Sequence, residues 1–194
     1  MPNAEVRYFR SIPLPDLDST LLQRLIEEVP WREEEIVLWG RRYKQPRLIA
    51  WYGDEGSAYT YSGITLMPLP WSELLTGLKQ VVEQLAKTSF NSVLLNYYRN
   101  ERDSMGMHSD DEPELGENPV IASLSFGAER TLVFKHRKRS KRKDLSSVRV
   151  PLASGSLLLM SGETQHHWKH GIEKQKTPCG PRLNLTFRRI MPTA

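Results

Sequence analysis

The sequence predicts an α+β fold in which helices pack outside a β-sandwich or jelly roll. Three observations carry this expectation. Segments of helical period come early, short β-rich runs fill the chain after about Ser89, and the two do not alternate as parallel βαβ units would.

Residues 18–29 read as a first helix, with Asp18 or Ser19 as N-cap, Leu21, Leu22, Leu25 and Ile26 on one face and Pro30 as the stop. From Ser72 to about Lys87, Leu74, Leu75, Leu78, Val81, Val82 and Leu85 recur at helical spacing, with Gly77 the single defect. Strands are then expected over residues 93–98, 120–125, 131–134, 148–152, 156–160 and 183–187, with Gly127, Gly155 and Gly162 among the turn residues between them. No internal repeat interrupts the pattern, and 194 residues suit one domain with one core.

A content of 39% hydrophobic and 26% charged residues excludes the disordered and fibrous classes. Apolar runs such as residues 157–160 fall far short of the ~20 residues of a membrane span. No basic segment leads into an apolar one at the N-terminus, so a protein neither secreted nor membrane-inserted is expected. The single cysteine, Cys179, fits a reducing compartment, which makes the cytoplasm, or the nucleus in a eukaryote, the expected location.

Net charge is +4, but the excess is local. Lys135, Arg137, Lys138, Arg139, Lys141, Arg142 and Lys143 place seven positive charges within nine residues, leaving the remainder of the chain net negative. Such a run on a hairpin between strands is a contact for a polyanion, because neutralising phosphates releases counterions; the alternative is a solvated loop.

Three groups of residues carry chemistry. In His108-Ser109-Asp110, extended backbone would turn the imidazole and carboxylate to one side and Ser109 to the other. With a further histidine from His166, His167 or His170, they make the two-His-one-carboxylate set of non-haem Fe(II) oxygenases, and spacing alone does not choose among the three. Alternation over residues 182–188 puts Arg182, Asn184, Thr186 and Arg188 on one face, opposite Leu183, Leu185 and Phe187. If the apolar face packs against a second layer, two guanidinium groups look inward and need anions; a dicarboxylate satisfies both. Asn96 and Tyr98 likewise share a face and offer an amide and a phenol.

Taken together, residues 36–190 resemble the AlkB family of Fe(II)- and 2-oxoglutarate-dependent dioxygenases. The resemblance rests on Asn96-x-Tyr98, His108-x-Asp110, Trp168-x-His170-Gly171-Ile172 and Arg182-x-Asn184-x-Thr186-x-Arg188, in the family's order and spacing. Tyr59-Thr60-Tyr61-Ser62-Gly63, the stretch from His108 to Glu112 and residues 121–128 look most like the branch that repairs double-stranded DNA. The resemblance implies a double-stranded β-helix (jelly roll), with residues 1–35 a helical N-terminal extension, 36–88 a nucleotide-recognition region and supporting helix, and 89–190 the catalytic core. It also implies Fe(II) held by His108, Asp110 and His170, leaving His166 and His167 outside the ligand set. For 2-oxoglutarate it implies Arg182 and Arg188 on the carboxylates, with Asn96, Tyr98 and Asn184 completing the hydrogen bonds. O2 is the implied oxidant.

The implied activity is oxidative demethylation of N-alkylated bases such as 1-methyladenine and 3-methylcytosine in DNA, by a monomer. Alternatives are the same chemistry on RNA or a protein side chain, and a non-catalytic nucleic-acid-binding module. Such a base must leave the stack, so a wedge is expected, with Trp39 the candidate and Arg41 and Arg42 beside it on the backbone. Tyr59, Tyr61, Ser62, Asp111 and Glu112 are the expected lesion-pocket residues, the tyrosines for stacking and Asp111 for attracting a cationic base.

Overall fold

Alternation along the last strand decides how the layers stack. The computed structural model describes residues 1–14, 20–38, 41–57, 59–61, 64–138 and 147–191. In chain order the elements are β1 (Glu5–Phe9), α1 (Leu21–Glu28), β2 (Glu35–Leu38), β3 (Arg41–Lys44), β4 (Leu48–Gly53), β5 (Tyr59–Tyr61), β6 (Ile64–Leu66), α2 (Glu73–Ala86), β7 (Ser92–Tyr98) and β8 (Met105–His108). A 3-10 turn (Pro113–Leu115) leads to β9 (Ile121–Gly127), β10 (Arg130–His136), β11 (Val148–Leu152), β12 (Ser156–Ser161), α3 (Thr164–His167), β13 (Trp168–Ile172) and β14 (Arg182–Arg188). Among the described residues, one sheet has the order β1-β12-β9-β14-β7-β4 and a second the order β11-β10-β13-β8, all pairs antiparallel. Two hairpins, β2-β3 and β5-β6, stand apart from them.

On β14, Leu183, Leu185 and Phe187 face α1 and α2, joined by Val93 and Leu95 of β7, Leu124 of β9 and Leu157 and Leu159 of β12. The opposite face of the same sheet meets the smaller one, where Trp51, Leu94, Tyr98, Ile121 and Leu158 pack on Leu132, Phe134, Trp168 and Ile172. These are two faces of a double-stranded β-helix, the outer one sealed by helices. Arg182, Asn184, Thr186 and Arg188 occupy the inner face, as alternation requires.

Helix α2 follows its sequence signals. Ser72 Oγ accepts from Leu75 N–H, and Lys87 closes the helix in the left-handed region (φ 57°), its N–H donating to Glu83 O. Helix α1 is shorter than the twelve-residue segment expected from the sequence. It begins at Leu21 with Thr20 at the cap position and no side-chain cap; Asp18 and Ser19 lie outside the described residues. Val29 leaves it in extended conformation, as a residue before proline must.

Each expected strand is present, its ends displaced by two residues or fewer. The expectation that helices precede and strands follow is corrected: β1 and β4, from ahead of residue 89, are the edge strands of the larger sheet. β4 (LIAWYG) is buried on both faces from Ile49 onward and so lacks the alternation that marks a half-buried strand. β8 (MGMH) and β13 (WKHGI) carry glycine and histidine where strands ordinarily carry β-branched residues, because they build the site. No helix among the described residues is long and apolar enough to cross a membrane.

Candidate metal and cosubstrate site

His108 ends β8, and β13 pairs with it so that His170 lies directly opposite, the ring centroids 4.4 Å apart. Asp110 follows the strand and brings its carboxylate between the rings, Oδ1 3.8 Å from His108 Nε2 and Oδ2 3.6 Å from His170 Nε2. Ser109 turns the other way, as extended backbone predicts, and donates from Oγ to Trp168 O (3.0 Å).

The close approach of β8 and β13 depends on Gly171. A Cβ there would sit 2.8 Å from Met105 O and 2.9 Å from Gly106 O, so a side chain would force the two ligand-bearing strands apart. The Asp110 backbone is fixed separately, its N–H donating to Oε1 of the buried Gln165 on α3 (3.0 Å).

Electrostatics prepare the cluster for a cation. Burial alone would raise the Asp110 carboxyl, but the Arg188 guanidinium, the largest opposing cause, outweighs it and holds the group well below the usual carboxylate range. Burial pushes the His170 imidazole down to about 3 and lowers His108 as well. The donor set is therefore one carboxylate and two neutral imidazoles, with His108 Nδ1 against Gly106 O (3.0 Å) leaving Nε2 for the centre. Asp110 Oδ2 is buried and accepts no hydrogen bond. A buried carboxylate whose two oxygens each face an imidazole nitrogen fits a divalent metal.

From this cluster a chamber runs along the inner face past Leu94, Asn96, Met105, Ser123 and Thr186 to Arg182. Arg188 Nη2 donates to Asp110 Oδ1 (2.7 Å) at the metal end. At the other end Arg182 is 1% exposed and donates from Nη2 to Ser125 Oγ (3.1 Å), while its Nε and Nη1 have no hydrogen-bond partner. A buried guanidinium with two idle nitrogens calls for an anion, and a carboxylate matches its fork. Tyr98 lies between Arg182 and Arg130, whose guanidinium carbons are 5.0 and 5.9 Å from its ring centre. Asn184 braces the wall: Nδ2 donates to Ser123 Oγ (2.7 Å) and Leu124 O (3.2 Å), and Oδ1 accepts from Thr186 Oγ1 (3.0 Å).

Arg47 was not foreseen from the sequence. It is buried ahead of β4 and donates from Nε to Asn96 Oδ1 (2.6 Å). It shares the inner face with Ile49 and Trp51, but burial of β4 on both faces hides that two-residue period in the sequence. His166 and His167, on α3, do not join the triad: His166 is exposed, and His167 Nε2 lies 3.5 Å from Glu163 Oε2.

Fewer of the expected substrate residues can be followed. Trp39, Ser62, Arg139, Lys141, Arg142 and Lys143 lie outside the described residues, as do the side chains of Arg41, Tyr59 and Tyr61. The backbones of Tyr59 and Tyr61 belong to β5, opposite Leu66 and Ile64. Glu112 is half-buried at the start of the 3-10 turn, and the exposed Arg42 faces Glu35 (3.7 Å). β10 and β11 pair as a hairpin that carries the basic run between them, as expected. Within the run, Lys135 Nζ is 3.1 Å from Glu173 Oε1, and Arg137 is paired with Asp111.

A two-His-one-carboxylate centre between the sheets of a double-stranded β-helix, with a buried arginine beyond it, is the arrangement of a non-haem Fe(II) oxygenase that takes a dicarboxylate cosubstrate. The 2OG-Fe(II) oxygenase superfamily model matches residues 5–188, and the chain belongs to that superfamily and, within it, to the AlkB family. It is 45% identical over 188 residues to the alpha-ketoglutarate-dependent dioxygenase alkB homolog 3 of Bos taurus, covering 93% of this chain and 64% of that protein. To the DNA oxidative demethylase ALKBH2 of Mus musculus it is 41% identical over 175 residues, covering 89% of this chain and 73% of that protein. The chain thus spans less than two thirds of the length of the alkB homolog 3 relatives. A solved structure described as that of OsALKBH1 shares the fold, with a TM-score of 0.63, 19% identity, and coverage of 97% of this chain and 99% of that one.

Proposed function

We propose that this chain is an Fe(II)- and 2-oxoglutarate-dependent dioxygenase that removes N-alkyl groups from bases such as 1-methyladenine and 3-methylcytosine in DNA. The observation that carries the proposal is the chamber with a buried His-Asp-His centre at one end and the idle nitrogens of Arg182 at the other. The names of the relatives, a DNA oxidative demethylase and an alpha-ketoglutarate-dependent dioxygenase, support the same choice. When bound, iron and 2-oxoglutarate activate O2, and the hydroxylated alkyl carbon departs as formaldehyde alongside succinate and CO2.

The protein's own part is placement. His108, Asp110 and His170 hold the metal, and Arg188 keeps Asp110 ionised and oriented. Arg182 takes one carboxylate of 2-oxoglutarate, beside Tyr98 and Asn96. The target atom is inaccessible within a stacked duplex, so the base is flipped, at a cost of a few kcal/mol that is least for a lesion unable to pair. Trp39 fills the gap, Tyr59, Tyr61, Ser62, Asp111 and Glu112 receive the base, and Arg41, Arg42 and, on the basic hairpin, Lys138, Arg139, Lys141, Arg142 and Lys143 hold the strand. Formaldehyde release from methylated single-stranded DNA, duplex DNA and RNA, run side by side with Fe(II) and 2-oxoglutarate, tests this. Stoichiometric formaldehyde and succinate with DNA are expected; release from RNA alone would move the substrate class, and none from any arm would overturn the reading.

A further inference from the structure

Arg137 lies in the basic run, yet its contacts point inward. Its backbone N–H donates to His167 O (2.8 Å), fastening the end of β10 to the segment that leads into β13. Its Nε donates to Ser109 Oγ (3.2 Å), and its Nη2 donates to Asp111 Oδ2. Ser109 is itself 7% exposed and passes the chain on to Trp168 O (3.0 Å). One guanidinium therefore spans two alternate residues of the segment whose other alternate pair, His108 and Asp110, forms the metal centre.

We infer that Arg137 is a positioning residue for Asp111, holding the base-side carboxylate in one orientation and bracing the 109–111 segment, and is not a phosphate grip. Asp111 is 41% exposed and would otherwise sample several rotamers in water. The fork of Arg137 removes that freedom at two points at once, which a lysine cannot reproduce because a point charge on a flexible stem meets either Ser109 or Asp111. Its Nε and Nη2 are committed to Ser109 and Asp111, so a phosphate gripped by that edge of the fork would have to displace both partners.

The inference rests on the proposed function, because it takes Asp111 to face the base. The experiment uses the full chain and a trinucleotide centred on 1-methyladenine, too short to reach along the hairpin. Formaldehyde release gives KM and kcat, and fluorescence anisotropy of the labelled trinucleotide without iron gives affinity, for wild type, Arg137→Ala, Arg137→Lys, Asp111→Asn and the Arg137→Ala/Asp111→Asn double variant. Arg137→Ala and Arg137→Lys are each expected to weaken trinucleotide binding about threefold or more and to raise KM rather than lower kcat. The double variant should be no weaker than Asp111→Asn alone, since contacting residues are not additive. Additive losses would overturn the inference. So would trinucleotide affinity that is unchanged while affinity for a long duplex falls and its salt slope shrinks, the signature of a phosphate contact. If the wild type releases no formaldehyde, the functional reading fails by itself, and the inference is then decided by coupling between positions 137 and 111 in the thermal stability of the same variants. Non-additive Tm losses support it and additive ones overturn it.

Discussion

Arg188 donates from Nη2 to Asp110 Oδ1 at 2.7 Å, so β14, an interior strand of the larger sheet, grips the carboxylate of the metal centre. The pair is buried, with side-chain exposures of 3% and 1%, and breaking it leaves a charge without its counter-ion in a low-dielectric interior. Arg188→Lys keeps the charge and loses the planar fork. If Arg188 also holds the second carboxylate of 2-oxoglutarate, as the family resemblance implies, the KM for 2-oxoglutarate is expected to rise about tenfold to a hundredfold, the effect of losing a charge-assisted hydrogen bond of about 1.5–3 kcal/mol. Arg188→Ala should in addition weaken Fe(II) binding, measured by titration, because Asp110 then loses the cation that most lowers its pKa.

Metal stoichiometry separates the three late histidines. The wild type is expected to hold one Fe(II) per chain and to gain thermal stability from it by mass action. His108→Ala, Asp110→Ala and His170→Ala should each lose the ion, whereas His166→Ala and His167→Ala should keep it. Retention in His170→Ala with loss in His167→Ala would reassign the third ligand, although His167 lies beside Glu163 and not the triad.

Gly171→Ala tests whether the spacing of β8 and β13 sets the metal geometry. The added methyl meets two backbone oxygens, Met105 O and Gly106 O, and backbone cannot swing aside as a side-chain tip can. A destabilisation of about 1–3 kcal/mol is expected from overpacking, with a fall in Fe(II) affinity as His170 moves from His108. Unchanged metal affinity would show that the strands relax without disturbing the ligands.

Most of the site was legible in the sequence because strand alternation is a local rule. Arg182, Asn184, Thr186 and Arg188 share a face whatever the rest of the chain does, and His108 and Asp110 converge for the same reason. What was hidden lies in long-range pairings. Gln165 meets the Asp110 backbone across 55 residues and Arg47 meets Asn96 across 49, and no periodicity announces such contacts. β4 was hidden for a different reason: burial on both faces erases the alternation that would have marked it and, with it, the inward setting of Arg47.

Asp103 offers a pH test away from the metal. Burial would raise its carboxyl, but hydrogen bonds from Arg99 N (2.9 Å) and Nε (2.8 Å) to Oδ2 and from Nη2 (3.0 Å) to Oδ1 lower it on balance. A carboxylate with a depressed folded pKa stabilises the protein above its unfolded value of about 3.9, and that contribution is lost as pH falls through the folded value. Tm is therefore expected to drop more steeply below about pH 4 in the wild type than in Asp103→Asn, which should start lower at neutral pH by about 2–4 °C for each kcal/mol of stability removed.

The pairing of Lys135 with Glu173 and of Arg137 with Asp111 sets these two charges apart within the basic run. Glu173 is also 3.3 Å from Arg149 Nη2, so Lys135 belongs to a small network tying β10 and β11 to the end of β13. A cation already facing a carboxylate has fewer condensed counterions to release from DNA than one facing water. Lys138 is exposed, and Arg139, Lys141, Arg142 and Lys143 lie outside the described residues; these five are the proposed phosphate contacts. Neutralising these five should weaken duplex binding about equally for all sequences and lower the slope of log K against log salt by about 0.9 for each phosphate that is no longer neutralised. Lys135→Gln should leave that slope nearly unchanged and instead lower Tm slightly, because exposed ion pairs are worth about 1 kcal/mol or less. A slope that falls as much for Lys135→Gln as for Lys138→Gln would show that DNA displaces Glu173, so that the pairing in the free protein does not govern the interface.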